Sequence, residues 1–432
     1  MKKFAKLCCS GLLALSGVLT LSGCTPTMPY RTDPPSPSSA TCADKPTMQS
    51  VNRLCYGKDG IKTEYFMGFV EFDDEGWFYN RDVKEARPTQ LTNLFRTLQE
   101  DYNKNNQAFL IVTYAHGWKH NAEAEDDNVK KFNSLLQHVV LMEQEFSKSG
   151  QRPPRRVVGV YLGWRGKSTD IPVDFWDRKP VAERVGRGSV RQVLLDLNEF
   201  KQAMNLTAKV KTMRQEEQAL QASQALLEQH QQTRRARTGK RQDQKALQAE
   251  ETLHAESVAR ARKALERSAR EFEQVSNEEG SASGKETQLF MIGHSFGGLV
   301  MYHALNALLL ERLQQVEVDK KSGALRYRPV SRFGDLAILV NPAFEGSAYE
   351  PLHQAARSRC FSPDQTPAMT TITSDADSAT GFWFPVARLD TRLTRSTPQE
   401  GETEAVLHTV GHLDRYRTHR FGPKNTGEGG QP

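Results

Sequence analysis

Residues 290–300, FMIGHSFGGLV, place a serine between two glycines directly after an apolar run. The run at 288–294, QLFMIGH, has the composition of a buried strand, and LVMYHALNALLLERL at 299–313 has that of a helix. Glycines on both sides of Ser295 allow the chain to turn sharply from the strand into the helix, which presents the hydroxyl above the end of a sheet. The stretch therefore predicts that Ser295 is a nucleophile and not only a small residue in a tight turn.

Similar strands recur along the chain and alternate with helical stretches. The predicted strands lie at 64–76, 107–118, 155–166, 288–298, 335–344, 368–377 and, last, 404–410. Apolar, β-branched runs separated by helices are typical of an α/β fold with a mostly parallel central sheet flanked by helices. Functional residues of such sheets gather where the strands end, so the polar residues after these runs are the candidates for a site.

A nucleophilic serine needs a base to take its proton and an acid to orient that base. In this type of strand–turn–helix motif the acid and then the histidine follow the serine along the chain. The stretch TTITSDADSAT (370–380) offers Asp375 and Asp377 at the end of a predicted strand. Both aspartates are also suited to a plain role as turn or cap residues before a helix.

Three histidines follow the last predicted strand, in VLHTVGHLDRYRTHRF. His408 lies inside that strand and is most simply a packed residue. His412 comes two residues after the strand, behind Gly411, which is the position expected of a catalytic histidine. His419 lies further on, in YRTHRF, and the residues alone do not separate it from His412.

An oxyanion site needs backbone N–H groups aimed at the charge that develops on the substrate. One N–H is expected from Phe296, the residue after the nucleophile, and the other from the loop that follows the predicted strand at 107–118. That loop is TYAHGWKHNAEAEDDN (113–128), in which a glycine allows the backbone to point inward. The second donor is therefore expected to be Gly117 or Trp118.

Together these motifs resemble those of serine esterases and lipases with the α/β-hydrolase fold. The resemblance is carried by AHGWKHNA, GVYLGWRG, FMIGHSFGG, LVNPAFEGSAYEPL, SDADSAT and GHLDRYRTHRF, which lie within residues 60–200 and 285–422. In that family the acid follows its strand as Ser-x-x-Asp, which favours Asp377 over Asp375. The ending Thr-His-x-Phe favours His419 slightly over His412. The resemblance implies hydrolysis of carboxylic esters, lipid esters included, through an acyl-enzyme on Ser295 and without a metal or organic cofactor.

Two other classes of function use the same sequence features. The first is a scaffold or binding lipoprotein in which the fold is a relic and a helical insertion recruits partners. The second is an acyltransferase or thioesterase that uses the same catalytic residues. The formal charge of +6 falls to about +3 once the three lysines of residues 1–23 are removed, and no stretch mixes clustered cations with aromatics. We therefore expect no nucleic-acid partner.

The N-terminus, MKKFAKLCCSGLLALSGVLTLSGC, has a Lys-rich start and an apolar stretch too short to span a bilayer, as in a secretory signal peptide. Its end, Leu-Ser-Gly before Cys24, resembles the lipobox of bacterial lipoproteins. That resemblance implies cleavage of residues 1–23 and attachment of fatty acyl chains, such as palmitate, to Cys24. Thr25 stands where an aspartate would indicate inner-membrane retention, so we expect a lipid-anchored protein of the bacterial cell envelope, at the outer membrane.

The next segment, 24–60, is predicted to be an extended tether because six prolines between residues 25 and 46 stand among Ser and Thr. In the oxidising envelope Cys42 and Cys55 are expected to form a local disulfide, which leaves Cys360 over. The hydrolase-like domain is assigned to 61–204 and 281–422, and 423–432 to a disordered tail.

The remaining segment, 205–280, is predicted to be an inserted helical hairpin. Apolar residues recur every three or four positions on both sides of Gly239, the only glycine between 205 and 279. The hairpin is interpreted either as a cap over the active-site mouth or as an arm for a protein partner. Its fourteen basic and twelve acidic residues nearly cancel, so charge gives no reason for it to bind a membrane.

Overall fold

Seven strands form the central sheet in the computed structural model of the chain. The structure describes residues 28–37, 41–58, 60, 62–79, 89–168, 174–236, 241–276, 286–314, 316–318, 325–327, 333–359, 361, 366–387 and 400–422. The predicted signal peptide with Cys24, the predicted break at Gly239, Cys360 and the predicted tail at 423–432 lie outside these residues.

The sheet has the order β1-β2-β4-β3-β5-β8-β9, and all its strands are parallel except β1, which pairs antiparallel with β2. The strands are β1 (Val51–Tyr56), β2 (Thr63–Phe72), β3 (Phe109–Ala115), β4 (Arg156–Trp164), β5 (Gln288–His294), β8 (Leu336–Val340) and β9 (Met369–Ile372). A separate antiparallel pair consists of β6 (Val316–Val318) and β7 (Leu325–Tyr327). Because β3, β5, β8 and β9 run in one direction, their last residues meet at one edge, called the carboxyl edge below.

Helices cover both faces of the sheet. They are α1 (Thr89–Asn105), α2 (Asp127–Lys148), α3 (Asp174–Val185), α4 (Arg191–Ala236), α5 (Arg241–Ser276), α6 (Phe296–Leu313), α7 (Gly346–Arg357), α8 (Phe384–Ala387) and α9 (Glu400–Leu407). Alternate residues of β2 enter two separate cores: Phe66 and Val70 pack with α1 and α6, whereas Tyr65 and Phe69 pack with α2. The predicted α/β class with a mostly parallel, helix-covered sheet is confirmed.

The last predicted strand, 404–410, is not a strand. Its first residues belong to α9, and Val410–His412 form a single 3₁₀ turn. The stretch EGETEAVL is rich in helix-forming Glu, Ala and Leu, and of residues 402–407, whose burial is described, Ala405 alone is fully buried. The backbone of Thr409 makes just one bridge, to Glu345 in the loop after β8.

The segment predicted as a tether, 24–60, differs from that prediction across its described residues. Residues 51–56 form the edge strand β1, and Arg31 is buried against β2. The cause is a set of contacts between residues far apart in sequence, such as the Arg31 N–H with the Glu71 carboxylate at 2.8 Å. The predicted disulfide between Cys42 and Cys55 is present and ties this segment to β1.

Removal of that disulfide is expected to destabilise the domain without changing its site. The bond closes a loop of 13 residues. Opening a loop of this size raises the entropy of the unfolded chain, which lowers the free energy of unfolding by roughly 3 kcal/mol. The double variant Cys42→Ser, Cys55→Ser should show this decrease in the free energy of unfolding in a urea titration. An unchanged urea midpoint in the double variant would contradict the prediction. The parent titrated under reducing conditions should show the same decrease, and reduction should cause no further decrease in the variant.

The insertion is an antiparallel hairpin of α4 and α5. Lys209 pairs with Glu271 at 2.9 Å near its base, and Arg234 pairs with Glu251 near its tip. Helix α4 starts on the domain, where its first turns are buried, and continues without interruption into the hairpin. Among the described residues, no helix is both long enough and apolar enough to cross a membrane.

The hairpin leaves the domain at the end of the sheet opposite to the carboxyl edge. The Asn205 side chain bonds both the N–H and the carbonyl of Thr287, the residue just before β5. Lys201 pairs with Asp335, just before β8, at 2.8 Å. From Asn205 to Ala236 the helix extends about 45 Å further. A cap over residues at the carboxyl edge is therefore not what the hairpin forms.

Candidate active site

Ser295 occupies the sharp turn between β5 and α6. Its backbone has φ 56° and ψ −119°, a conformation that is costly for a residue with a side chain and that is typical of functional turns. The neighbouring glycines are required by close approach, since a Cβ on Gly293 would collide with the backbone of Gly297. The turn is held in place by the Ser295 N–H, which donates to the Val340 carbonyl at 3.0 Å.

The hydroxyl of Ser295 does not serve as a helix cap. A capping serine has an extended backbone and accepts a hydrogen bond from the first turn of the helix. Ser295 has neither feature, although it immediately precedes α6. Its side chain is half-buried. The geometry is therefore that of a presented hydroxyl.

Phe296, one of the predicted oxyanion donors, is the first residue of α6. The N–H groups at the start of a helix have no partner within the helix, and the helix dipole places partial positive charge there. The Phe296 ring is fully buried and lies 4.7 Å from the ring of Phe175, between ring centres. Its N–H is thus fixed beside Ser295 by core packing.

Gly117, the other residue predicted for the oxyanion site, lies directly against Ser295. The position of a Cβ on Gly117 would be 3.0 Å from the Cβ of Ser295 and 3.2 Å from the carbonyl of His294. The Gly117 carbonyl points at the ring of His116, whose Nδ1 is 2.9 Å away. In a planar trans peptide the following N–H points the opposite way, so the N–H of Trp118 is directed away from that ring.

The loop after β3 is supported on both sides. The Lys119 N–H donates to the Gly166 carbonyl at 2.9 Å, and the Gly166 N–H donates to the His120 carbonyl at 3.0 Å. At its far end Asp126 caps α2 through the N–H of Asn128 at 2.7 Å and contacts His120 Nδ1 at 3.2 Å. Burial alone would raise the pKa of Asp126, but its contact with His120 outweighs this and lowers the pKa. The loop is therefore preorganised.

His116 holds this loop from inside the protein, a role that the sequence did not indicate. Its ring is completely buried and stacks on Trp164, with ring centres 5.4 Å apart. The backbone N–H of Trp164 donates to Nε2 at 3.1 Å, so the proton of the neutral ring is on Nδ1 and is donated to the Gly117 carbonyl. Burial lowers the pKa of His116 to about 4, and the ring stays neutral at neutral pH.

Acid is expected to weaken the fold through His116. Because its pKa is about 4 when folded and about 6.5 when unfolded, the unfolded chain takes up the proton first. The contribution to stability is complete above pH 6.5 and decreases by roughly 3 kcal/mol as the pH falls to about 4. The free energy of unfolding should show a smaller decrease over this range in His116→Gln, a ring-free variant. An equal acid sensitivity in that variant would contradict the assignment.

Asp377, the favoured acid, lies in the turn after β9. Its Oδ1 accepts from the N–H of Ala379 at 3.2 Å, so it does serve as a turn cap. Its Oδ2 accepts from the hydroxyl of Thr380 at 2.6 Å, which engages the other oxygen. Asp375, the alternative acid, is exposed and pairs with Arg420 at 3.5 Å.

His412 meets Asp377 through the hydroxyl of Thr380. Nε2 of His412 is 3.0 Å from Thr380 Oγ1, and because that hydroxyl donates to Asp377, its oxygen accepts from Nε2. The Nδ1 of the neutral ring then has a lone pair for a proton. Burial lowers the pKa of His412, and the charges of Asp377 and Asp375 oppose this without reversing it. The ring is a neutral base at neutral pH.

The backbone around His412 is fastened at the ends of β8 and β9. The N–H of Val410 donates to the Phe344 carbonyl at 3.2 Å, and Gly411 packs so closely on Thr373 that a Cβ would collide with it. Only β8 separates β5 from β9, which corresponds to roughly 10 Å across the sheet. Ser295, Asp377 and His412 therefore lie at one edge of the sheet, within the width of three adjacent strands.

The charge of Asp377 also acts on the residue directly before Ser295. Burial lowers the pKa of this residue, His294, and the charge of Asp377 offsets part of this decrease. His419 is not brought to the group: its ring is exposed, and its Nδ1 contacts only the adjacent Thr418 hydroxyl, at 3.0 Å. The Nδ1 of His408 contacts the carbonyl of Glu404 within α9.

Thr380 is a second residue to which the sequence analysis gave no role. It is fully buried, and its hydroxyl is the link between the acid and the histidine. The spacing Asp-x-x-Thr at the start of a helical turn is the signal that could have found it, since side chains three apart at a helix start interact.

Comparisons with protein-family models, with curated proteins and with solved structures find no match for this chain. Within the described ranges, no three His, Cys, Asp or Glu side chains are grouped so that they could hold a metal ion. What the chain does must therefore be argued from the geometry of the carboxyl edge.

Proposed function

We propose that the chain is a serine hydrolase of the α/β-hydrolase fold that cleaves carboxylic esters, lipid esters included, with Ser295, His412 and Asp377. The observation that carries the proposal is the strained Ser295 turn, with Gly117 so close to it that a Cβ added to Gly117 would lie 3.0 Å from the Ser295 Cβ. The hydrogen-bonded chain from Asp377 through Thr380 to His412 lies on the same edge. If the turn at Ser295 had only a structural role, there would be no reason for Gly117, Asp377, Thr380 and His412 to lie at the same edge of the sheet.

The reaction begins with the ester carbonyl between Ser295 and the N–H groups of Phe296 and Trp118 or Gly117. Ser295 Oγ attacks the carbonyl carbon while His412 Nδ1 takes its proton, and the N–H groups stabilise the oxyanion. Collapse breaks the ester bond, and the alcohol leaves with the proton from His412. Water then attacks the acyl-Ser295 ester, His412 takes and returns a proton, and the free acid is released.

The Asp377–Thr380 pair stabilises the charged ring that forms in each step. No hydrogen bond joins the side chains of Ser295 and His412, both of which the structure describes. Catalytic hydrogen bonds are often long before substrate binds and shorten in the complex. The proposal requires that this contact form when the ester is bound.

A variant of Thr380 tests the relay. Thr380→Val keeps the shape and removes the hydroxyl, so we expect kcat to fall by about 10- to 100-fold. Ser378→Ala removes a neighbouring hydroxyl as the matched control. Equal rates for the two variants would contradict a role of the Thr380 hydroxyl between Asp377 and His412.

The rate of the parent is expected to depend on pH through His412. The value of kcat/KM should decrease as the pH falls through the pKa of His412, which lies below the usual 6.5, because the protonated ring cannot act as a base.

We further propose that the mature chain is anchored through acyl chains on Cys24 in the bacterial cell envelope, at the outer membrane. The Leu-Ser-Gly-Cys sequence and Thr25 support this. More than one acyl chain is needed for stable anchoring, and a lipoprotein terminus carries several.

The function is tested by hydrolysis of p-nitrophenyl esters of graded acyl length by the protein that lacks residues 1–23 and carries no lipid. We expect release of p-nitrophenol together with one free acid per ester cleaved. Products in which the acyl group is joined to an added alcohol or amine acceptor in place of water would instead identify an acyltransferase. Absence of any turnover across the whole series would contradict the proposal.

A further inference from the structure

The chain that follows the predicted lipid cysteine is fastened to the domain within a few residues. Arg31 is 1 % exposed, and its guanidinium carbon lies 3.6 Å from the centre of the Phe69 ring. Its Nε donates to the carbonyl of Ala122 at 2.6 Å, and its backbone N–H donates to the Glu71 carboxylate at 2.8 Å. A buried charge that is paired on several sides holds this segment in one place.

The segment lies at the carboxyl edge, which also presents the nucleophile. Met28 and Tyr30 line a small cavity together with Phe72 and Trp164, the last residues of β2 and β4. The Tyr30 hydroxyl accepts from Asn121 Nδ2 at 3.1 Å, and Asn121 belongs to the loop after β3. The start of the described chain is therefore packed beside the loop that carries the second oxyanion donor.

The length of chain limits how far the lipid can be from the active site. Strand β2 is three strands from β5, so Met28 lies roughly 15 Å across the sheet from Ser295. Cys24 is four residues before Met28, and four residues span at most about 14 Å. Acyl chains on Cys24 would enter a membrane within about 30 Å of Ser295, measured along the same edge.

Large apolar side chains are exposed on this edge. Met28 is 69 % exposed, and Trp77, five residues after the end of β2, is 52 % exposed. Ile372, the last residue of β9, is also 52 % exposed. Tryptophan, with an apolar body and a polar N–H, is enriched at membrane–water interfaces.

The opposite edge is a poor surface for a bilayer. The hairpin of α4 and α5 leaves the domain there and extends about 45 Å beyond Asn205. Its faces carry many charges of both signs. With the lipid attached near the carboxyl edge and the hairpin leaving the opposite edge, the carboxyl edge would face the membrane and the hairpin would point away from it.

We propose that the carboxyl edge faces the bilayer that holds the acylated Cys24, so that the substrates of Ser295 are acyl esters of lipids in that same membrane. The inference rests on the proposed hydrolase function and on acylation of Cys24. Because few residues separate the lipid anchor from the domain, Ser295 is held close to the lipid surface. This raises the effective concentration of esters in the bilayer over that of dissolved esters.

Orientation is measured with the full lipidated chain in vesicles of phosphatidylethanolamine and phosphatidylglycerol that contain a dansyl-labelled headgroup. The energy transfer from Trp77 to the dansyl group is obtained by subtracting the transfer measured in Trp77→Phe from that measured in the parent. The matched control adds Leu226→Trp to the Trp77→Phe chain, since Leu226 lies on the hairpin and is 53 % exposed. We expect strong transfer from position 77 and little from 226. Equal transfer, or stronger transfer from 226, would overturn the orientation.

Substrate preference is measured with a spacer. A proline-rich insertion of about twelve residues between Thr27 and Met28 moves the domain away by up to ~37 Å. We expect hydrolysis of a fluorogenic phospholipid in the vesicles to fall by about tenfold or more, while soluble p-nitrophenyl butyrate is cleaved at the parent rate. The same spacer appended after Pro432 should change neither rate.

The two failures are distinguishable. Hydrolysis of the vesicle phospholipid at the parent rate by the Thr27–Met28 spacer variant would overturn the inference and leave the hydrolase intact. Absence of hydrolysis of the soluble ester in every variant would contradict the proposed function, and the transfer from Trp77 would still decide the orientation.

Discussion

Ser295→Ala is expected to remove ester hydrolysis, with a decrease in kcat/KM of about 10⁴-fold or more. The alanine cannot form the acyl-enzyme, so only the binding and oxyanion groups remain to assist water. Stability should change little, because the hydroxyl caps no helix and alanine keeps the Cβ that contacts Gly117. The initial rate with p-nitrophenyl butyrate and the midpoint of thermal unfolding measure the two effects.

Unchanged hydrolysis by Ser295→Ala would contradict the mechanism, since no other residue is assigned as nucleophile. A large decrease in the unfolding midpoint would show instead that the variant loses activity by unfolding. Ser378→Ala provides the matched control, as it removes a hydroxyl from the same edge of the sheet and should keep the parent rate.

His412→Ala is expected to lower kcat by about 10³- to 10⁴-fold, whereas His419→Ala should stay within about twofold of the parent. The reason is their placement. His412 is bonded through Thr380 to Asp377, whereas His419 is exposed and its Nδ1 contacts the hydroxyl of the adjacent Thr418. Rates for both variants at pH 8, where a neutral ring predominates, give the comparison directly.

The reverse outcome would show that the C-terminal residues rearrange when substrate binds. In that case loss of activity in His419→Ala with parent activity in His412→Ala would restore the choice that the Thr-His-x-Phe ending favoured. Asp375→Asn and Asp377→Asn form a second pair for the acid, with the larger loss expected for Asp377→Asn.

The sharp turn at Ser295 could be predicted because its causes are local. A buried strand, two glycines and a helix specify the geometry of Ser295 within about ten residues. The strands β2, β3, β4, β5, β8 and β9 could be predicted for the same reason, since their apolar, β-branched runs are recognisable in isolation, whereas the short pair β6 and β7 was not predicted. The loop at Gly117 followed from its place after β3.

The choice between histidines could not be made in this way. It depends on where the chain after α9 meets the ends of β8 and β9, through contacts such as Val410 with Phe344 and Gly411 with Thr373. These contacts join residues about 40 to 65 positions apart, and a helix replaces the expected strand just before them. Thr380 was missed because its role exists only when Asp377 and His412 are brought together.

The N-terminal segment shows the same limit more strongly. Its proline-rich composition is that of a tether, yet the burial of Arg31 against Phe69 and Glu71 decides its course. That pairing spans about 40 residues and leaves no trace in local composition. Likewise, the periodicity of the hairpin predicted its helices but not the edge of the sheet from which it emerges.

The central claim is that His412 activates Ser295, and covalent labelling by a fluorophosphonate tests it most directly. Mass spectrometry of digested protein should find the phosphonate on the peptide that contains Ser295, formed rapidly in the parent and at least about 10²-fold more slowly in His412→Ala. A parent chain that is folded but unlabelled at Ser295, or equal labelling rates in the two proteins, would contradict the account.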